Sequence, residues 1–129
     1  MEKLKELSLF FPAYNEEANL ADTVERAIPI LAQAAENYEL LIVNDGSKDR
    51  TGEVAAQLAA KHPFIRVITH SPNRGYGGAV KSGLYNSRYP WIVFTDSDGQ
   101  FDFAEVDRFI AKQRETNADL VIGYYLKRA

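Results

Sequence analysis

The feature that most constrains this chain is a repeated order in its sequence: a short apolar run, a polar loop, then a stretch with helical spacing. The apolar runs are Leu7 to Phe11, Glu39 to Val43, Ile65 to Thr69, Trp91 to Thr95 and Leu120 to Gly123. Most are apolar on consecutive residues, as strands are when helices cover both faces of a sheet. Between them, Leu20, Val24, Ala27, Ile28 and Leu31 recur at helical spacing, as do Val54, Leu58 and Ala59, and Val106, Phe109 and Ile110. Pro29 lies inside the first of these patterns and is expected to kink or divide that helix. Asp102 followed by Glu105 has the form of a capping box, which starts the last helix near Phe103. The order βαβαβαβαβ predicts an α/β fold, a mainly parallel sheet with helices on both faces.

At 129 residues and 46% hydrophobic content, the chain can bury one core and is too short for two ordinary domains. Residues 1–129 are therefore expected to form a single unit. A net charge of −3 provides no basic field for nucleic acid. The absence of cysteine removes disulfides, thiolate metal sites and cysteine nucleophiles, and fits a reducing, cytoplasmic location. Met1 to Leu7 has no signal-peptide core, and no apolar run approaches the ~18 residues of a bilayer span.

Parallel strands joined by right-handed crossovers present all their carboxyl ends on one edge of the sheet, where ligands bind. That edge is rich in acid: Asn15, Glu16 and Glu17 follow the first strand, Asn44 and Asp45 the second, and Asp96, Ser97, Asp98, Gly99 and Gln100 the fourth. Crowded carboxylates must be solvated, raise their pKa values or share a cation. Asp96 and Asp98, two apart, can turn toward one hard cation with Gln100 adding an oxygen, a donor set for Mg²⁺ or Mn²⁺. Asp-Ser-Asp-Gly is equally a good turn sequence. An EF-hand fails on spacing, with Phe101 where glycine is needed and Asp107 where glutamate is needed.

The other segments each carry two readings. Asn44-Asp45-Gly46-Ser47 is a turn sequence, or else Asp45 accepts hydrogen bonds from the N–H groups of a nucleobase. Asn15, Glu16 and Glu17 suit the first turn of a helix with no ligand present, or a binding site. Asn73 to Ser82 fails both as a P-loop and as a dinucleotide fingerprint at Val80, leaving glycines that permit close approach and cations, Arg74 and Lys81, that suit phosphate or solvent. His62 and His70 have no ligand spacing and read as surface or loop-end residues, with no Ser/His/Asp arrangement supported.

Four segments in order, Phe-Pro-Ala-Tyr-Asn-Glu-Glu, Val-Asn-Asp-Gly-Ser-Lys-Asp-Arg-Thr, Asn-Arg-Gly-Tyr-Gly-Gly-Ala and Thr-Asp-Ser-Asp-Gly-Gln, resemble the amino-terminal part of glycosyltransferase family 2. The resemblance is greatest to its polyprenyl-phosphate sugar transferases of the dolichyl-phosphate mannose synthase type. It implies the Rossmann-like nucleotide-binding half of a GT-A fold, a nucleoside-diphosphate sugar donor linked to UDP or GDP, and inverting transfer to a polyprenyl phosphate. It further implies that Pro12, Tyr14 and Glu16 line the nucleoside pocket, that Asp45 reads the base, and that Arg74 and Gly75 lie near the donor. Asp96, Asp98 and Gln100 would hold Mg²⁺ or Mn²⁺ on the diphosphate, with Asp98 the residue assigned to catalysis. Such proteins continue into an acceptor region, so the chain is expected to be a donor-binding part of a protein working at the cytoplasmic face of a membrane. The competing expectations are a receiver-like signalling domain, which needs an aspartate where Thr69-His70-Ser71-Pro72 stands, and a non-catalytic nucleotide-binding module.

Overall fold

The computed structural model describes residues 3–95 together with Arg108 and Ala111. In chain order the elements are β1 (Leu4–Ala13), α1 (Leu20–Ala34), β2 (Ala35–Asn44), α2 (Thr51–Lys61), β3 (Ile65–Thr69), α3 (Gly75–Asn86) and β4 (Ile92–Phe94). The four strands are parallel and lie in the order β3-β2-β1-β4. The α/β alternation read from the sequence is present. The strand expected at Leu120 to Gly123, and the helix expected to start near Phe103, lie outside the described residues.

Strands β1 and β2 begin earlier than their apolar runs. Their first residues include exposed Lys5, Glu6, Glu36 and Asn37, so hydrophobicity marks only the part of each strand that helices cover. Pro29 does not divide α1, which runs unbroken from Leu20 to Ala34. The proline lies on the exposed side, where water can serve the carbonyl that loses its usual N–H donor.

Alternate residues of the central strands feed two cores. Leu7, Leu9 and Phe11, with Leu40 and Ile42, meet Leu20, Val24, Ala27 and Leu31 of α1 and Ala55 and Leu58 of α2. Phe10, Leu41 and Val43 meet Ala79 beneath α3 on the other face. Each large apolar side chain fully buried here contributes about 1.5–3 kcal/mol against leaving it in water. Two successive crossovers wind outward from β1 to β3, and the chain then returns past β1 to form β4. The direction of winding therefore reverses between β1 and β4, the place where open α/β sheets bind ligands. A receiver-like domain has β1 beside β3, whereas β2 separates them here, so that alternative is excluded.

Two backbone hydrogen bonds flank the described pairing of β1 with β4. Ser8 N–H donates to the Trp91 carbonyl at 2.8 Å, and Thr95 N–H to the Phe10 carbonyl at 3.3 Å. The next rung would need an N–H from Pro12, which has none. Pro12 is thus buried in β1 without an N–H to give to the strand beside it.

Helix α3 lies close on the sheet because Gly83 has no side chain. A Cβ there would sit 2.3 Å from the Phe10 ring, which itself stacks on Phe94 at 4.9 Å between centroids. Near the end of α3, buried Glu39 accepts from Ser8 Oγ at 2.6 Å, from Arg66 Nε and Nη2 at 3.0 and 2.8 Å, and from the Arg88 N–H at 2.6 Å. Arg66 Nη2 also donates to the Asn86 carbonyl at 2.7 Å, fastening the end of α3 to the sheet. Burial opposes ionisation of Glu39, but the hydrogen bonds from Ser8, Arg88 and Arg66 outweigh it and hold its pKa below the ordinary glutamate value.

Two stability measurements check this packing. Gly83→Ala should destabilise by about 1–3 kcal/mol in urea unfolding, because α3 must shift off Phe10; a change under about 0.5 kcal/mol would show that the contact is loose. Because folding lowers the Glu39 pKa, the unfolded state binds more protons there as acidity rises, and the stabilisation present above the unfolded value is lost as pH falls through the folded one. Glu39→Gln should therefore cost roughly 2–3 kcal/mol near pH 7 and progressively less toward pH 3. A penalty that does not vary with pH would contradict the assignment.

Candidate functional site

The carboxyl ends of β1 and β2 are joined by loops that satisfy one another's backbone groups. Asn15 takes the left-handed conformation at φ 54°, which asparagine tolerates better than most residues. Its Oδ1 accepts the Lys48 N–H at 2.8 Å, and its own N–H donates to Ser47 Oγ at 3.0 Å. The Glu16 N–H donates to Thr51 Oγ1 at 2.8 Å, and the Glu17 N–H to Asp49 Oδ2 at 3.3 Å. Asp49 in turn accepts the Thr51 N–H at 2.9 Å. Glu16 and Glu17 precede α1; the acidic residue in its first turn is Asp22. The macrodipole reading of these two glutamates is therefore replaced by one in which their amides lace one loop to the other. Tyr14 projects above this laced surface with 41% of its area exposed, and Glu16 is half-buried beside it.

Asp45 holds the next junction. It follows β2, is 4% exposed, and its N–H donates to the Ala13 carbonyl at 2.8 Å. Its Oδ1 accepts from the Arg74 N–H at 2.8 Å and lies 2.7 Å from His70 Nδ1, and the Gly75 N–H adds a further hydrogen bond to the carboxylate. Burial alone would raise the Asp45 pKa; the bonds from Arg74, His70 and Gly75 outweigh it and hold the carboxyl below the ordinary aspartate range. Asp45 is thus a charged cap on the start of α3, delivered from another strand.

The glycine segment differs from its expected form. It is not a loop throughout: α3 starts at Gly75, whose φ of +83° favours glycine, and Gly77 and Gly78 already belong to the first helical turn. The amides of Arg74 and Gly75 are directed at Asp45, which removes them from any P-loop-like phosphate cradle. Around Gly75 and Gly77 a Cβ would meet no atom of the described residues within 4 Å, so those residues leave this end of α3 uncrowded. Arg74 is exposed there, while the Lys81 ammonium sits 5.9 Å over the Tyr85 ring.

His70 corrects the sequence reading most sharply. It stands just beyond β3 but is 3% exposed, with Nδ1 on Asp45 and Nε2 2.7 Å from Ser82 Oγ. A Ser/His/Asp chain that spacing did not support is therefore present. The register explains it: Asn44 pairs with Thr69, so Asp45 and His70 leave their strands side by side. Aligning strand ends would have found the pair; ligand spacing along the sequence could not. His62, by contrast, ends α2 as a loop-end residue and reaches Glu25 at 3.3 Å.

Asp96, Asp98 and Gln100 lie outside the described residues. Among the described residues no group of three or more His, Asp or Glu is placed to hold a metal, so these residues alone supply no metal centre. Among them, too, no helix is long and apolar enough to cross a membrane. The structure does bring Pro12, Tyr14, Glu16, Asp45, Arg74 and Gly75 to one edge of the sheet.

The chain as a whole is similar to known proteins. The chain is 39% identical over 111 residues to the human dolichyl-phosphate beta-glucosyltransferase, covering 81% of this chain and 34% of that protein. It is 34% identical over 119 residues to the Trichomonas vaginalis dolichyl-phosphate beta-glucosyltransferase ALG5C, covering 86% of this chain and 35% of that one. It thus spans about a third of the length of these relatives. In fold it is similar to S. aureus TarS 1-349 in complex with UDP-GlcNAc, with TM-score 0.69, 20% identity and coverage of 87% of this chain and 32% of that one. It is also similar to the Pyrobaculum calidifontis mannosyltransferase PcManGT in complex with GDP-Man and Mn2+, with TM-score 0.64, 21% identity and coverage of 75% and 28%. The glycosyl transferase family 2 model matches residues 8–128, nearly the whole chain. With the parallel sheet, its switch point and the GT-A neighbours, this match establishes that the chain belongs to glycosyl transferase family 2.

Proposed function

We propose that this chain binds a UDP- or GDP-linked sugar together with Mg²⁺ or Mn²⁺, as the donor-binding part of an enzyme that transfers the sugar to a polyprenyl phosphate. The observation that carries this reading is the cluster of Pro12, Tyr14, Glu16, Asp45, Arg74 and Gly75 at the carboxyl edge of the sheet, beside the reversal of winding between β1 and β4. A crevice at a topological switch point suits a flat nucleoside, and exposed Tyr14 offers a ring for it to pack on. Exposed Arg74, at the start of α3, has the guanidinium geometry that suits phosphate oxygens.

Asp96, Asp98 and Gln100 supply oxygen donors of the kind hard divalent cations prefer, and Asp98 is the residue assigned to catalysis. A bound cation would offset charge on the nucleoside diphosphate as it leaves. The acceptor is read from the names of the dolichyl-phosphate relatives, and an anionic acceptor needs little help from a general base. The reading places displacement at the anomeric carbon in inverting geometry and the whole protein at the cytoplasmic face of a membrane.

Thermal unfolding tests donor binding directly. UDP or GDP with Mn²⁺ should raise the melting temperature by several degrees at a hundredfold excess over Kd, and by less without metal. Asp98→Ala should abolish the metal-dependent part while leaving the melting temperature of the free chain within about a degree. No metal-dependent shift with either nucleotide in the native chain would overturn the donor reading.

A further inference from the structure

We propose that His70 is a positioning residue of this donor site: held by Asp45 and Ser82, it fixes the Asp45 carboxylate so that the start of α3, with Arg74 and Gly75, is set against the ends of β1 and β2. The inference rests on the donor-binding reading above for its functional consequence, but its structural half stands on the hydrogen bonds alone. His70 is buried among three groups, two at the carboxyl end of β2 and one on α3. Its N–H donates to the Asn44 carbonyl at 2.9 Å, Nδ1 meets Asp45 at 2.7 Å, and Nε2 meets Ser82 Oγ at 2.7 Å.

The direction of these bonds follows from the chemistry of the partners. An ionised aspartate only accepts, so the shared proton sits on Nδ1. In the neutral ring Nε2 then accepts from the Ser82 hydroxyl, whose side chain lies one helical turn beyond Gly78 on the same helix. The ring therefore grips α3 twice. It does so directly through Ser82, and indirectly through the carboxylate that receives the Arg74 and Gly75 amides. With one carboxylate oxygen shared between His70 and the Arg74 amide, removing the imidazole frees Asp45 to rotate and releases the helix start. Ser82 alone, in the body of α3, holds the helix without orienting its first turn.

Two isosteric substitutions separate the grips. In His70→Asn the side-chain amide replaces Nδ1 and keeps the bond to Asp45 but falls short of Ser82; in His70→Gln it replaces Nε2 and keeps Ser82 but loses Asp45. His70→Ala loses both. The readouts are amide hydrogen exchange at Arg74 and Gly75, melting temperature, and Kd for UDP with Mn²⁺ and for GDP with Mn²⁺, all on the 129-residue chain. His70→Asn should keep slow exchange at both amides and a Kd within about twofold of the native chain. His70→Gln and His70→Ala should exchange at least about tenfold faster there and bind nucleotide about tenfold more weakly, although Asn and Gln lower the melting temperature alike. Exchange that does not separate Asn from Gln, or affinity that follows melting temperature instead of the Asp45 bond, overturns the inference. Unchanged affinity in Gln and Ala beside normal binding by the native chain overturns it while leaving the donor reading intact. No binding by the native chain removes the donor reading, and with it the role given to His70.

Discussion

Strand β1 is bonded to a parallel neighbour on each side, β2 along its length and β4 over Ser8 to Phe10. Because every described strand is parallel, the chain must leave each one at the same edge, and each following loop is brought there by the sheet itself. Because winding reverses at β1, α1 and α2 cover one face and α3 the other, so both faces of the central strands are apolar. Pro12 cannot donate to the strand beside it. The reversal of winding between β1 and β4 is where open α/β sheets place a ligand crevice.

The polar groups at that edge are spent first on each other. Asn15, Glu16 and Glu17 use backbone N–H groups and one side-chain amide to hold the loop after β2, and Asp45 uses its carboxylate to hold the start of α3. A loop that must present side chains to a ligand gains from such mutual satisfaction, since an unpaired amide would otherwise compete for water or collapse inward. Glu39 does the same work under the far end of α3. The two acids fasten α3 at its two ends, and Gly83 lets its middle rest on Phe10.

The order of elements was legible from the apolar runs because burial on both faces leaves a continuous signature, and β3 was found with the same bounds. The beginnings of β1 and β2 were not, since Lys5, Glu6, Glu36 and Asn37 extend beyond the helices and carry no hydrophobic mark. Pro29 misled because the rule against proline within helices weakens where its lost partner faces solvent. Of the four segments, three come together at one edge among the described residues, while the hydrogen bonds between their side chains stayed hidden. His70 has its partners 25 and 12 residues away, a relation set by strand register and by the path of α3, and Glu39 reads as a strand residue until Arg66 and Arg88 are folded against it.

The central claim is that a nucleotide-sugar donor occupies the carboxyl edge at the crevice between β1 and β4, with its diphosphate on a cation held by Asp96, Asp98 and Gln100. A crystal of the chain grown with Mn²⁺ and soaked with UDP- and GDP-linked sugars tests it most directly. The expected result is an anomalous manganese peak coordinated by the Asp96 and Asp98 carboxylates, with the nucleoside resting between Pro12, Tyr14 and Asp45. Nucleotide density at the opposite edge of the sheet, or manganese bound without either aspartate, would contradict it.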